Sequence, residues 1–424
     1  MRNLFRCLFS IIVLGWGLSL HAQTTAIKVG KLIDPETGKA AEHQVILIEN
    51  DKIKAVGTQL PIPKDAEIID LSAYYVMPGL VDAHTHLCAN LSKFADMLGV
   101  DYFDEVLLNP EAYRAIRAAK YAEEMLMAGF TIIRDAGNSG KYIDVSLKRA
   151  IDEGLILGPT VIPAGRIIAP FGGQFRTRAD KKFLDNDEYF FADTKDELRK
   201  AIRENIFYGS EFIKVVVDSK KYQYNLEDLQ TIVAEAANAN IKVMAHCQTT
   251  RGEYNAALAG VASIEHGWNL PDSVATVMKN KNVTLVSTDF TVKELMAFGN
   301  NEQPATEIHQ RRVERLARAH KAGVCIAFGT DIMVDVDNET RGAVAVDYIT
   351  SFKEAKIPDA EILKIMTINA YKLLGVEQKR GLIRAGNYAD MIATKDNPLE
   401  NIDALRKVSF VMKNGKVALQ NLQE

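Results

Sequence analysis

The chain reads as an α/β protein, a (β/α)8 TIM barrel with a small β-sandwich built from both chain ends. Three observations predict this. Eight short β-rich runs alternate with amphipathic helical patterns. They fill a span of roughly 250 residues, which one barrel needs. Both flanks of that span carry further short β-like runs broken by Gly and Pro, too few on either side for a stable core of their own.

Taken in order, residues 1–22 set Arg2 and Arg6 before an apolar run (8–20) and end in His21-Ala22. A positive region, a short apolar core and a small residue at the cut predict a secretory signal peptide and an exported, periplasmic or secreted protein. Leu20 is not the usual small residue three positions before a cut after Ala22, so the cleavage point stays open. Residues 23–76 and 380–424 are predicted to pair into the composite β-sandwich, with runs at 26–29, 44–48, 53–56, 389–393 and 408–412. Residues 77–379 form the predicted barrel, its strands at 79–84, 130–134, 160–165, 212–217, 241–246, 262–265, 283–288 and 324–329. Helices are predicted at 111–128 and 226–239, among others.

A barrel places its chemistry at the C-terminal ends of its strands. There the first strand supplies His84 and His86, two residues apart and so on one side of the strand. The fifth ends in His246, the sixth in His266 and the eighth in Asp331. One histidine at a strand end is usually a hydrogen-bonded core residue. Four of the chain's eight histidines at equivalent positions, with an aspartate, point to a metal site. Lys214 sits in the fourth strand, where two readings stand. Its stem either covers helix surface while the ammonium reaches water, or the amine faces the axis, loses its proton on burial and is free to react.

These residues carry a resemblance. Val76-Met77-Pro78-Gly79-Leu80-Val81-Asp82-Ala83-His84-Thr85-His86 is joined by Thr131-Ile132-Ile133-Arg134-Asp135-Ala136-Gly137, Phe212-Ile213-Lys214, Ala245-His246, Ser263-Ile264-Glu265-His266-Gly267 and Gly329-Thr330-Asp331. In this order they resemble the amidohydrolase superfamily of metal-dependent hydrolases, in particular its imidazolonepropionase-like and Xaa-Pro dipeptidase branch, from about Ile27 to the C-terminus. The resemblance implies two divalent metal ions, with zinc expected. His84, His86 and Asp331 hold the first, His246 and His266 the second, and a carbamate on Lys214 bridges both. It also implies a metal-activated hydroxide that attacks an amide, with Asp331 carrying the proton to the leaving amine.

Substrate choice lies in loops. Gln174 stands where many dipeptidase-like relatives have a histidine, so it would grip a substrate carbonyl through neutral hydrogen bonds or not at all. For a substrate carboxylate the candidates are Tyr224, Arg251, Arg176 and Arg178, each of which is otherwise an ordinary surface residue. The aromatic residues Phe171, Phe175, Tyr189, Phe190 and Phe191 either line a pocket or pack their loop. The expected substrates are Xaa-Pro dipeptides or N-acyl amino acids. A cyclic-amide hydrolase, an ochratoxin-type amidase, a deaminase and a non-catalytic metal-binding barrel are the alternatives.

Composition fits a globular enzyme, 47% hydrophobic and 25% charged. A net charge of -4 gives no basic excess for nucleic acid, and no run past the first two dozen residues is apolar enough to cross a bilayer. The expected partners are therefore small-molecule amides and further copies of the same chain in a homo-oligomer. Cys88, Cys247 and Cys325 are expected to be buried, unpaired thiols. His309 and His320, in a pattern rich in Arg and Glu, are expected to be solvated helix residues.

Overall fold

The computed structural model describes residues 24–91, 105–106, 108–174, 187–219 and 221–422. The proposed signal peptide and Phe175, Arg176 and Arg178 lie outside them.

All eight predicted barrel strands are present. They are β5 (Leu80–Thr85), β6 (Phe130–Asp135), β7 (Thr160–Pro163), β10 (Phe212–Val216), β11 (Lys242–Cys247), β12 (Ser263–His266), β13 (Thr284–Val286) and β14 (Ile326–Ala327). Neighbours run parallel within the two sheets β5-β6-β7 and β14-β13-β12-β11-β10. The barrel closes where Glu211 N donates to Pro163 O (2.8 Å) and where Ala83 N donates to Phe328 O (2.9 Å). Helices Glu111–Met127 and Leu226–Ala237 end one and two residues before their predicted ends.

Two further short strands, β8 (Ile167–Ala169) and β9 (Tyr189–Phe191), extend the second sheet beyond β10. The sequence did not foresee them, because three residues are too few to show a period.

Strand alternation divides the barrel into layers. Ile213, Val215, Val243, Ala245, Ile264 and Leu285 face outward into the core shared with the helices. Ile132, Phe212, Met244, Val286 and Ala327 fill the interior as an apolar plug. Two residues further along β6, β10 and β11, the same inward side presents Arg134, Lys214 and His246. Arg134 lies over the ring of Phe212 at 4.6 Å, so the polar layer rests directly on the apolar one.

The chain ends meet in one seven-stranded sheet, ordered β17-β16-β15-β4-β1-β2-β3. Its members are β1 (Thr24–Asp34), β2 (Lys39–Glu49), β3 (Lys52–Gly57), β4 (Glu67–Pro78), β15 (Met391–Thr394), β16 (Val408–Lys413) and β17 (Lys416–Gln420). The far strand returns onto the other half of the sheet. Ile53 N donates to Asn387 O and Ala389 N to Asp51 O, both at 2.9 Å. Ile27, Ile46, Ile53, Leu71, Met391 and Phe410 thus share one apolar core. The sequence showed no run for β4, whose irregular pattern of exposure hides a strand of 12 residues.

Gly329, at the end of β14, leaves no room for a side chain. A Cβ there would lie 2.3 Å from Val286 Cγ1 and 2.9 Å from His84 Cβ. Gly329→Ala is expected to destabilise the fold by about 1–3 kcal/mol through overpacking. A lower urea midpoint with an unchanged m-value would show it; an unchanged midpoint would mean that the neighbours give way freely.

Candidate metal centre

Parallel register puts the strand ends level. Val216 is opposite His246, Cys247 opposite His266, and Thr85 opposite Asp135. The register of β5 against β6 slips between Asp82 and Thr85, a bulge of the kind that re-aims side chains. His84 and His86 consequently converge, with their Nε2 atoms 3.3 Å apart.

The other ring nitrogen of each is engaged elsewhere. His84 Nδ1 donates to Glu265 Oε2 (2.6 Å), and His86 Nδ1 donates to the Gly137 carbonyl (2.7 Å). Burial pushes the His84 imidazole well below its ordinary pKa, so it is neutral. Two lone pairs therefore face one point, and Asp331 Oδ1 joins them at 3.4 Å from His84 Nε2 and 3.1 Å from His86 Nε2. Ligand atoms of the three residues all lie within 4.8 Å of one another. Imidazole nitrogen and carboxylate oxygen converging without a shared proton is a donor set that fits a divalent cation.

A second pair stands beside the first. His246 Nδ1 and His266 Nε2 are 2.7 Å apart, while their outer nitrogens contact Ser219 Oγ (2.9 Å) and Thr288 Oγ1 (2.8 Å). Burial lowers both imidazole pKa values well below the usual range. The other oxygen of Asp331 reaches toward this side, 3.7 Å from His266 Nδ1.

Lys214 is 1% exposed and faces the axis, with its Nζ donating to His84 Nε2 at 3.1 Å. Of the two sequence readings, the outward lysine is thereby excluded. Burial pushes its amine down to about 8, against the opposing pull of Glu265 and Asp331.

Sequence reasoning missed the supports of these groups. Glu265 is fully buried between His84 and Arg134, whose Nη2 lies 2.9 Å and 3.1 Å from its two oxygens. Arg134 Nε also donates to Ala83 O (2.6 Å), tying β6 to β5. Asp82 Oδ1 accepts from the backbone of His84 (3.0 Å) and Thr330 (3.1 Å), fixing the first strand to the eighth. The signal lay within the quoted motifs, as charged residues at strand positions where an apolar residue is the norm.

Left-handed backbone gathers here too, at His266 (φ 69°), Thr288 (φ 48°) and Asp331 (φ 61°). Strict alternation would turn His266 to the side of Ile264, away from Glu265. The turned backbone brings its ring in. For a β-branched residue such as Thr288 this conformation is a true outlier, and strain of about 1–3 kcal/mol per residue is typical of sites the surrounding fold over-determines.

The proposed substrate-binding residues separate. Gln174 reaches the cluster, its Nε2 3.4 Å from His246 Nδ1. Tyr224 does not, because its ring is buried in the outer core and its hydroxyl donates to Ala192 O at 2.6 Å. Arg251 is exposed in the first turn of helix Thr250–Ala259. Tyr189 and Phe191 stack at 5.9 Å and pack against Ile167 and Val216. His309 also differs from expectation, being 5% exposed and bonded to Phe290 O (2.9 Å) and Glu354 Oε2 (2.7 Å). Cys88 and Cys247 are buried and unpaired, whereas Cys325 is exposed.

Among known proteins, the Amidohydrolase family model matches residues 75–418. Ochratoxinase of Aspergillus niger is 28% identical over 94% of this chain and 87% of its own length. The crystal structure of a Xaa-Pro dipeptidase with methionine bound in its active site superposes with a TM-score of 0.81, at 27% identity over 93% of this chain and 99% of that one. A prolidase complexed with N-methylphosphonate-L-proline gives 0.80, at 26% identity over 94% and 100%. With a matching model over most of its length and relatives covered almost end to end, the chain belongs to the amidohydrolase family and is a hydrolase of carbon–nitrogen bonds.

Proposed function

We propose that the protein is a binuclear amidohydrolase that cleaves Xaa-Pro dipeptides or N-acyl amino acids. The observation that carries this reading is the pairing of two inward-facing histidine couples around a buried, reactive lysine. His84, His86 and Asp331 would hold one ion and His246 and His266 the other. Bound there, two divalent ions (zinc by our reading) lower the pKa of water and polarise the scissile carbonyl.

Lys214 would complete the second ion's donor set, which otherwise has two imidazoles. Its amine, buried and partly neutral near pH 8, attacks carbon dioxide and gives up a proton, leaving a carbamate with two oxygens. Asp331 serves as proton carrier. It takes the proton of the attacking water and returns it to the departing nitrogen, which leaves as a neutral amine. Glu265 holds His84 in the Nδ1–H tautomer so that its Nε2 stays a donor. Gln174 offers its side-chain amide to a substrate carbonyl beside His246.

Export of the mature chain, guided by residues 1–22, and assembly into a homo-oligomer are part of the same proposal. Among the described residues, no helix is long and apolar enough to cross a membrane.

Chelation of the purified protein is expected to abolish amide hydrolysis, and zinc to restore it. Elemental analysis is expected to find two ions per chain; a single ion, with deamination rather than amide cleavage in a substrate screen, would replace this reading by a mononuclear deaminase. Lys214→Ala should remove the second ion and most of the activity. Wild-type protein equilibrated with carbon-13 bicarbonate should show a carbamate resonance that this variant lacks, and its absence from active wild type would refute the bridge. Glu265→Gln is expected to weaken ion affinity about 10- to 100-fold, read by competition with a chromophoric chelator, because the carboxylate no longer orients His84.

A further inference from the structure

With Tyr224 held by Ala192 and Arg251 at the surface, neither of the two candidates among the described residues is placed to receive a substrate carboxylate. Among the described residues, two cations of the barrel mouth are committed. Arg134 is paired with Glu265, and Arg315, fully buried, is paired with Asp289 at the end of the seventh barrel strand. Arg312 is different. It lies one helical turn before Arg315 on helix Glu302–Ala322, and its guanidinium stands 4.9 Å from the centre of the Trp268 ring and 5.0 Å from that of Phe290. Its Nη1 is buried and has no hydrogen-bond partner among the described residues.

This placement is unusual for an arginine. A guanidinium withdrawn from water normally gains a carboxylate, since an unpaired buried charge is costly. Asp289 faces both arginines electrostatically, but its ion pair is with Arg315. Trp268 and Phe290 lie against the guanidinium, which orients the planar group and leaves Nη1 for a ligand. Trp268 follows His266 by two residues, its ring centre is 5.7 Å from that of His266, and it is 36% exposed, so it lines the open side of the site. The charge of Arg312 is felt at His266 and interacts with that of Asp331.

We propose that Arg312 is the anion-binding residue of this active site, receiving through its unpartnered Nη1 the carboxylate that neighbours the leaving nitrogen of the substrate. The assignment rests on the amide-hydrolase reading and narrows it. The preferred substrate bears a free carboxylate on its amine portion, as an Xaa-Pro dipeptide or an N-acyl amino acid does, and Trp268 forms the wall along which that portion lies. Planar, forked donors suit a two-oxygen acceptor in a way a lysine's point charge does not.

The test compares acids with their decarboxylated analogues in wild type, Arg312→Met and Arg312→Lys. Alanyl-proline is paired with alanyl-pyrrolidine, and N-acetyl-phenylalanine with N-acetylphenethylamine. A separate binding arm follows tryptophan emission during titration with 3-phenylpropionate or its amide, because Trp268 is the one tryptophan of the chain beyond Trp16. In Arg312→Met, kcat/KM for the acids is expected to fall about 10- to 100-fold, as for loss of a charged hydrogen bond, while the decarboxylated analogues hold their rate. Arg312→Lys should retain part of the preference, and the emission response to 3-phenylpropionate should vanish in Arg312→Met. Acid and analogue are scored in one preparation, so partial unfolding lowers both and leaves their ratio intact. An unchanged acid-to-analogue ratio in Arg312→Met, with wild type active, overturns the role of Arg312 and leaves the amidase standing. Wild type that hydrolyses neither pair yet responds to 3-phenylpropionate through Arg312 overturns the amidase reading and keeps the anion site. No hydrolysis and no response overturn both.

Discussion

Lone pairs forced to face one another inside a closed barrel are the constraint on which the rest of this site depends. His84 and His86 each turn one ring nitrogen outward, to Glu265 and to the Gly137 carbonyl, so their Nε2 atoms face each other across a space a cation can fill. That arrangement would relax if the rings could turn. They cannot, because the proton acceptors belong to β12 and the loop after β6, and those are fixed in turn by Arg134 and by the Asp135 side chain, which accepts from the Gly137 amide. The site is therefore built from the outside in. Second-layer groups choose the tautomers, and the tautomers choose the ligand.

The same logic explains the layering of the barrel. An apolar plug of Ile132, Phe212, Met244 and Val286 shields the polar residues above it from one end. In that low-dielectric setting burial lowers the pKa of the His84, His246 and His266 imidazoles, and the Lys214 amine loses its proton more readily than in water. A cation between them would meet imidazole nitrogens, the two carboxylate oxygens of Asp331 and the Lys214 amine. Backbone strain at Thr288 and Asp331 belongs to this scheme, as the strand ends bend inward to deliver side chains that alternation alone would send elsewhere.

Much of this was legible in the sequence. The eight strands stood out because strand-length apolar runs alternate with amphipathic helices, and His84, His86, His246, His266 and Asp331 because they end those runs. Other features left no local trace. β4 is an irregularly exposed strand whose pairing partners lie at opposite ends of the chain, so its period is blurred. His309 and Arg315 sit in a helix so rich in charge that its pattern resembles a solvated face, yet each is buried against a partner from another segment. Arg312 was invisible for the same reason. Its environment is made by Trp268 and Phe290, from two other loops, and side-chain spacing within one helix cannot report that. Tyr224 shows the converse, a residue whose position after a barrel strand suggested the site but whose hydroxyl was already taken by Ala192.

The composite sheet bears on how the molecule comes to exist. β4 lies between β1, which is synthesised before it, and β15, which is made only after the whole barrel. Until the ribosome reaches the last few dozen residues, one side of β4 offers unpaired amides and carbonyls, an invitation to strand addition by a neighbour. A prematurely terminated chain would thus be more than a shorter enzyme. It would carry an open template for aggregation, which gives the closing strands a protective duty during biogenesis as well as a place in the finished architecture.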